Sequence, residues 1–234
     1  MRMNRWEVVS YSAVFVFVLV MLLYEQSIVL ILGTVLITTL IAFTIRVIHP
    51  MAWETRMDRM ETFLRKNQHT PYIYIYYVIA NRLDEEVEIT MEQLLSKYPK
   101  KKTQAVYNAA YGYYRNDMLT LRNAVNNMPK SDYRTYYETI LLVENGWSEK
   151  ARELLQTIKK PWMRSILLAG IELKAGNREI AIVHAHEAID AVKGVQRYVL
   201  IKEYERSYTD DTSVFDTRMS YSHRQPVHPS RTLK

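Results

Sequence analysis

The chain has 234 residues, 48% of them hydrophobic, with a formal net charge of +6 and no cysteine. Without thiols there is no disulfide framework, no thiolate zinc site and no cysteine nucleophile. The small basic surplus is dispersed, which excludes the one-sided Lys/Arg cluster of a nucleic-acid footprint, and the run Lys100-Lys101-Lys102 reads as a solvated loop.

The apolar residues are concentrated at the N-terminus. Val8 to Tyr24 is uncharged and includes the run Val14-Phe15-Val16-Phe17-Val18-Leu19-Val20-Met21-Leu22-Leu23. As a helix it is about 25 Å long, close to the thickness of a bilayer core. Glu25-Gln26-Ser27 interrupts it, and a second apolar segment runs over 28–48. In lipid every backbone polar group must be paired within the segment, so both must be helices. A small-x-small cleavage site is missing and a second span follows at once, which argues against a removed signal peptide. Arg2 and Arg5 precede the first span; Arg46, His49, Arg56 and Arg59 lie at or beyond the end of the second; the loop between carries only Glu25. Basic flanks stay inside, so this reading gives a multi-pass protein of the inner (cytoplasmic) membrane with both termini cytoplasmic. Residues 1–50 are thus a two-helix transmembrane anchor, with spans at about 8–24 and 28–48, and 51–70 a linking helix.

From Met51 to Arg206 the pattern is helical. Tyr72-Ile73-Tyr74-Ile75-Tyr76-Tyr77 taken alone has the look of a strand, but its surroundings repeat. At a spacing of 30, apolar or small residues align: Tyr77, Tyr107, Tyr137 and Leu167; Ala80, Ala110, Ile140 and Gly170; Met91, Leu121, Ala151 and Ala181; Leu95, Val125, Leu155 and Ala185; Tyr98, Met128, Ile158 and Ala188. The offsets within a unit are those of one helix face. Prolines 71, 99, 129 and 161 fall between units, where helices begin or end. The expected helices are 72–84 and 86–98, 103–115 and 117–128, 132–145 and 147–159, 162–175 and 177–192, with one at 53–67 before them and one at 195–206 capping the end. The fold class is all-α: a transmembrane hairpin followed by an α-solenoid of about four helix pairs over 71–206.

The turns Gly146-Trp147-Ser148-Glu149-Lys150-Ala151 and Gly176-Asn177-Arg178-Glu179-Ile180-Ala181, with the preceding Leu141-Leu142-Val143-Glu144-Asn145 and Leu173-Lys174-Ala175, resemble the tetratricopeptide repeat (TPR) at its mid-repeat turn. The likeness is closest over 131–192 and looser from 72. The first two units carry Glu86 and Asn116 where the later ones have the turn glycine. The resemblance implies stacked helix pairs whose first helices line a concave groove. Counted from the aligned series, the groove-facing positions are Arg82, Asn108, Arg115, Glu138, Asn145 and Glu172. Their mixed charge points to a protein or peptide ligand, although the same residues would also suit an ordinary solvated face.

Other clusters have plainer readings. Tyr107, Tyr111, Tyr114, Tyr133, Tyr136 and Tyr137 could anchor a partner, but tyrosines at helical spacing are more often core with the hydroxyl at its rim. His184 and His186 point about 200° apart on a helix and cannot chelate together, and His186 with Asp190 supplies only two ligands. Asp84-Glu85-Glu86 and Glu88 open a helix, where the dipole favours acidic residues. No nucleophile, acid–base pair, metal set or phosphate loop converges, so neither a catalytic residue nor a cofactor is expected. The segment 207–234 is polar and expected to be disordered. The sequence thus reads as a membrane-anchored adaptor or scaffold that binds a protein or peptide at the cytoplasmic face, rather than an enzyme. The alternative is a membrane-complex subunit whose hairpin makes the functional contacts, with the repeats as spacer. Nothing in the sequence argues against homo-oligomerisation.

Overall fold

The computed structural model describes residues 27–208 without a break, together with Val16, Phe17, Val20, Leu23 and Tyr24. Most of the expected first span therefore lies outside the described residues, as does the expected tail from residue 209 onward. Every regular element among the described residues is helical.

Helix α1 (Ile28–Trp53) has 26 residues, is long and apolar enough to cross a membrane, and is the one helix of that kind among the described residues. Its polar side chains are satisfied locally: the hydroxyls of Thr34, Thr38, Thr39 and Thr44 each donate to the carbonyl four residues back at 2.8 Å, as a lipid setting demands. The expected segment boundary near residue 48 is absent. Pro50 has no N–H to give, and its ring would crowd the carbonyl of Arg46. The helix widens to π geometry over Thr44–Ile48 and continues to Trp53, a local adjustment that absorbs the proline. The linking helix accordingly begins later than expected, as α2 (Met57–Lys66), after the Glu54 carboxylate accepts from the backbone N–H groups of Thr55 and Arg56.

Eight helices come next, packed as neighbours in hairpins: α3 (Pro71–Ala80) on α4 (Asp84–Lys97), α5 (Lys101–Tyr114) on α6 (Met118–Asn127), α7 (Asp132–Glu144) on α8 (Ser148–Leu155), and α9 (Pro161–Lys174) on α10 (Arg178–Asp190). The tyrosine-rich segment that looks like a strand is α3, whose buried face is Ile73, Ile75, Val78 and Ala80. Each hairpin turns through one left-handed residue: Arg82, Asn116, Gly146 or Gly176, with φ of 55°, 56°, 77° and 83°. The next residue then donates back across the turn: Leu83 to Val78, Asp117 to Gly112, Trp147 to Leu142, and Asn177 to Glu172, at 2.8–3.0 Å. This closes the helix end in a Schellman arrangement.

These four turns correct the expected register. From Asn116 onward they recur every 30 residues, but Arg82 lies 34 before Asn116, so the turn residue of the first unit is Arg82 and not Glu86. Shifted by four in that unit, the core series become Val87, Leu121, Ala151 and Ala181; Met91, Val125, Leu155 and Ala185; and Leu94, Met128, Ile158 and Ala188, all buried. Leu95 and Tyr98, taken from the unshifted register, are only half-buried, and Gly170 is exposed. Close approach fixes one further small residue: a Cβ on Gly112 would meet the backbone nitrogen of Leu121 at 2.8 Å.

A second clip recurs at the connections between hairpins. Gln104, Arg134, Arg164 and Arg197, each in the first turns of its helix, donate to the carbonyls of Leu95, Met128, Ile158 and Ile189 at the end of the preceding helix. These side chains satisfy carbonyls that a helix end leaves unpaired.

The last helix, α11 (Gly194–Ser207), packs on α10 and also returns to the beginning of the array, touching α2, α3 and the last turn of α1. Val195 and Tyr198 share one core with Met60, Leu64, Ile73 and Ala80, and Val47 and Met51 of α1 pack against it. Asn81 donates to the Tyr198 hydroxyl at 2.8 Å, and the N–H of Gly194 donates to the Glu54 carbonyl at 2.8 Å. Ser207, expected to begin the tail, closes α11, and Tyr208 after it is buried.

Candidate binding surface

The first helices of the hairpins bring tyrosines together on one surface. Tyr76 (α3), Tyr113 (α5) and Tyr133 (α7) keep 37%, 44% and 37% of their surface open. Tyr136 and Tyr137 of α7 meet edge to face, with ring centroids 5.2 Å apart, and Tyr136 lies 6.4 Å from Trp162 of α9.

Electrostatic coupling links these rings. The Tyr113 phenol is pushed up to about 12, first by desolvation, then by the carboxylates of Glu203 (α11) and Glu144 (α7), against the opposing pull of Arg82 and Arg206. Desolvation also raises Tyr76, with Tyr133 and Tyr107 adding to it. Tyr136 is raised well above its usual value, by burial and then by Tyr113 and Tyr137, and Tyr137 is raised by burial and then by Tyr113, Tyr133 and Tyr76. A ring that water reaches but whose hydroxyl is desolvated stands in a concavity, with protein on several sides. The surface is therefore made of uncharged tyrosine rings from α3, α5 and α7, next to Trp162 of α9, with the charged Glu203 and Arg206 of α11 beside it.

The polar residues expected to face the groove mostly serve the scaffold. Arg82 donates to the Tyr114 carbonyl at 3.0 Å and lies over the Tyr114 ring. Arg115 ion-pairs with Asp84 at 3.5 Å and lies 3.9 Å from Glu88, stitching the first two hairpins. Asn145 caps its own helix on the Leu141 carbonyl. Glu138 pairs with Arg134 at 2.8 Å. Glu172 is buried instead of lining a groove: it accepts from Arg152 at 2.6 Å and Asn177 at 2.8 Å, and these hydrogen bonds, Asn177 first, hold its carboxyl below the usual value. Asn108 is half-buried on α5.

The acidic residues at the start of α4 also have partners. Tyr114 and Tyr111 of the next hairpin donate to Asp84 and Glu88 at 2.6 Å, and Tyr74 donates to Glu86. Besides opening α4, Asp84 and Glu88 are hydroxyl acceptors between units, and Glu86 is one within its own. His184 pairs with Glu187 at 2.9 Å, and the His186 ring lies 4.8 Å from Tyr204. Among the described residues no three His, Asp or Glu side chains gather as metal ligands would. A second opening, a cleft of about 580 Å³, lies between α2 and the first hairpin, lined by Arg65, Lys66, Gln68, Tyr74 and Glu86 among others.

Of these tyrosines the sequence singles out Tyr133, Tyr136 and Tyr137, with core as the plainer assignment, and leaves out Tyr76 and Tyr113. Tyr76 and Tyr113 stand three or four residues from the buried Ile73, Ala80 and Ala109, and Tyr133 seven from Ile140, so helical spacing alone assigns all three to the core and gives no signal of their exposure. No protein-family model matches this chain, and neither a curated protein nor a solved structure matches it.

Proposed function

We propose that this chain is a membrane-anchored adaptor. Two N-terminal helices hold it in the cytoplasmic membrane with both termini inside, and a TPR-like stack of helix pairs offers the tyrosine surface to a protein or peptide partner. The observation that carries this reading is the convergence of five tyrosines from three separate helices, several of them still open to solvent, on a fold that begins with an uncovered apolar helix. Tyrosine gives large, rigid contact area at low conformational cost and is enriched where partners bind. Binding, rather than catalysis, suits a surface of neutral rings without converging acid, base or nucleophile.

A second reading has its own support. Leu32, Leu36, Ile37, Leu40 and Ile41 of α1 are exposed, and a Cβ on Gly33 would find open space, which leaves room for close approach of another membrane helix. In that case the anchor makes the functional contact.

Photo-reactive benzoylphenylalanine separates the two in intact cells. It is placed in turn at Tyr113, at the exposed Ile89 on α4 and at Ile37 in the anchor. A discrete adduct from position 113 alone supports the adaptor. An adduct from position 37 alone supports the anchor reading. Adducts from 113 and 89 in equal yield would sink the adaptor.

A further inference from the structure

The tyrosine surface has a candidate occupant in the chain itself. Helix α11 meets the end of α3 through Arg206, which donates to the Ala80 carbonyl at 2.6 Å, one turn beyond Tyr76, and Tyr208, where the described chain ends, is two residues further on. The Glu203 carboxylate, which acts on Tyr113, Tyr136 and Tyr208, agrees with that placement. Tyr208 is held in place, stacked on Tyr204 at 4.9 Å with the Arg178 guanidinium over its ring. The segment after Tyr208 therefore starts at the edge of that surface.

That segment divides by chemistry. Residues 209–216 carry Asp210, Asp211 and Asp216. Residues 217–234 contain no Asp or Glu, and carry Arg218, Arg224, Arg231 and Lys234 together with Pro226 and Pro229. Guanidinium and ammonium groups sit favourably over tyrosine faces, and extended proline-bearing segments dock in aromatic-lined grooves at low entropic cost. Eight residues of leash extend to about 26–29 Å. A segment tethered so close acts at an effective concentration of order millimolar.

We propose that residues 217–234 dock on the tyrosine surface of their own chain, with Arg224, Pro226 and Pro229 against Tyr76, Tyr113 and Tyr133. The proposal rests on that surface being a binding surface, and gives it an internal ligand of cationic, proline-bearing type.

The absence of cysteine makes the test direct, because any introduced pair is unambiguous. The full chain in lipid nanodiscs is made as Tyr113→Cys/Val227→Cys, as Tyr76→Cys/Val227→Cys, and as Ile89→Cys/Val227→Cys on the outward face of α4. A disulfide needs Cα atoms within about 7 Å. In a glutathione buffer the first two pairs should close at least about tenfold faster than the third, as tethered docking requires, at a rate independent of protein concentration. Using two surface positions guards against one substitution disturbing the fold. Equal rates for all three pairs would overturn the proposal. So would closure that yields mainly disulfide-linked dimers, which would assign the segment to a second copy. The measurement involves no outside partner, so its failure leaves the adaptor reading standing. Conversely, photo-adducts in equal yield from positions 113 and 89 would sink the adaptor without touching the docked segment.

Discussion

The guanidinium of Arg206 donates to the carbonyl of Ala80 at 2.6 Å, across 126 residues of sequence. It joins the end of the last helix to the end of α3, and Glu203 receives the other arm of the same guanidinium. A hydrogen bond from a charged donor contributes about 1.5–3 kcal/mol. Arg206→Met should therefore destabilise the detergent-solubilised chain by a comparable amount, read as a lower urea midpoint. An unchanged midpoint would mean that α11 does not hold α3 in solution.

Gly194 is the tightest point of the fold. Its φ is +62°, and an added Cβ would fall 1.9 Å from the carbonyl oxygen of Met51. Left-handed strain and overpacking together predict that Gly194→Ala costs about 3 kcal/mol or more. Gly170→Ala is the control. Nothing lies within 4 Å of its Cβ position, inside α9, and alanine should gain up to about 1 kcal/mol there. Thermal melts of both variants check the pair, and the two shifts should have opposite signs.

Leu155 is fully buried in the core shared by the second, third and fourth hairpins. Leu155→Ala should cost about 2–5 kcal/mol. Glu138→Ala removes a partly exposed pair with Arg134 and should change stability by about 0.5 kcal/mol. Equal urea midpoints for Leu155→Ala and the parent would contradict its place in that shared core.

Glu172 sets an acid limit. Its folded carboxyl lies below the ordinary value of 4.5 because Asn177 and Arg152 donate to it. Its contribution is therefore complete above about pH 4.5 and fades as pH falls through the lower folded value. Glu172→Gln should flatten the loss of stability with falling pH in that window, seen as melting temperature against pH. A parallel profile for parent and variant would refute the role.

Tyr113 sets an alkaline one. Its phenol ionises near 12 in the fold, against an ordinary value of 10. The neutral ring is favoured, so its contribution is present below pH 10 and is lost as pH rises from 10 towards 12. Tyr113→Phe should shrink the late component of the phenolate absorbance titration and spare the early one. A smaller early component instead would place Tyr113 in open solvent.

The later hairpins were legible in the sequence because their turn residues are Gly146 and Gly176, the residue type that a left-handed turn prefers. The first hairpin was not, because Arg82 occupies that conformation without the residue signature. Every position of α3 from Tyr72 to Ala80 is aromatic or apolar, so a spacing of 30 aligned there as readily as the actual 34. The clip formed by Gln104, Arg134 and Arg164 repeats every 30 residues as well, but in polar side chains, which add nothing to a hydrophobic period. The site was misjudged for a related reason. Polar residues on first helices were assigned to a ligand, whereas Arg82, Arg115 and Glu172 serve caps and stitches, which a stack of short helices needs in number. The return of α11 to α3 has no local signal, since contacts across more than a hundred residues leave no period.

That return has a consequence for how the chain can change length. An open array adds or loses a unit at its end, because each unit touches only its neighbours. Here Gly194, Tyr198 and Arg206 must meet Glu54, Asn81 and Ala80. Deleting or duplicating one 30-residue unit would carry α11 past its seat and leave the cores at both ends uncovered. The number of hairpins is therefore set by closure.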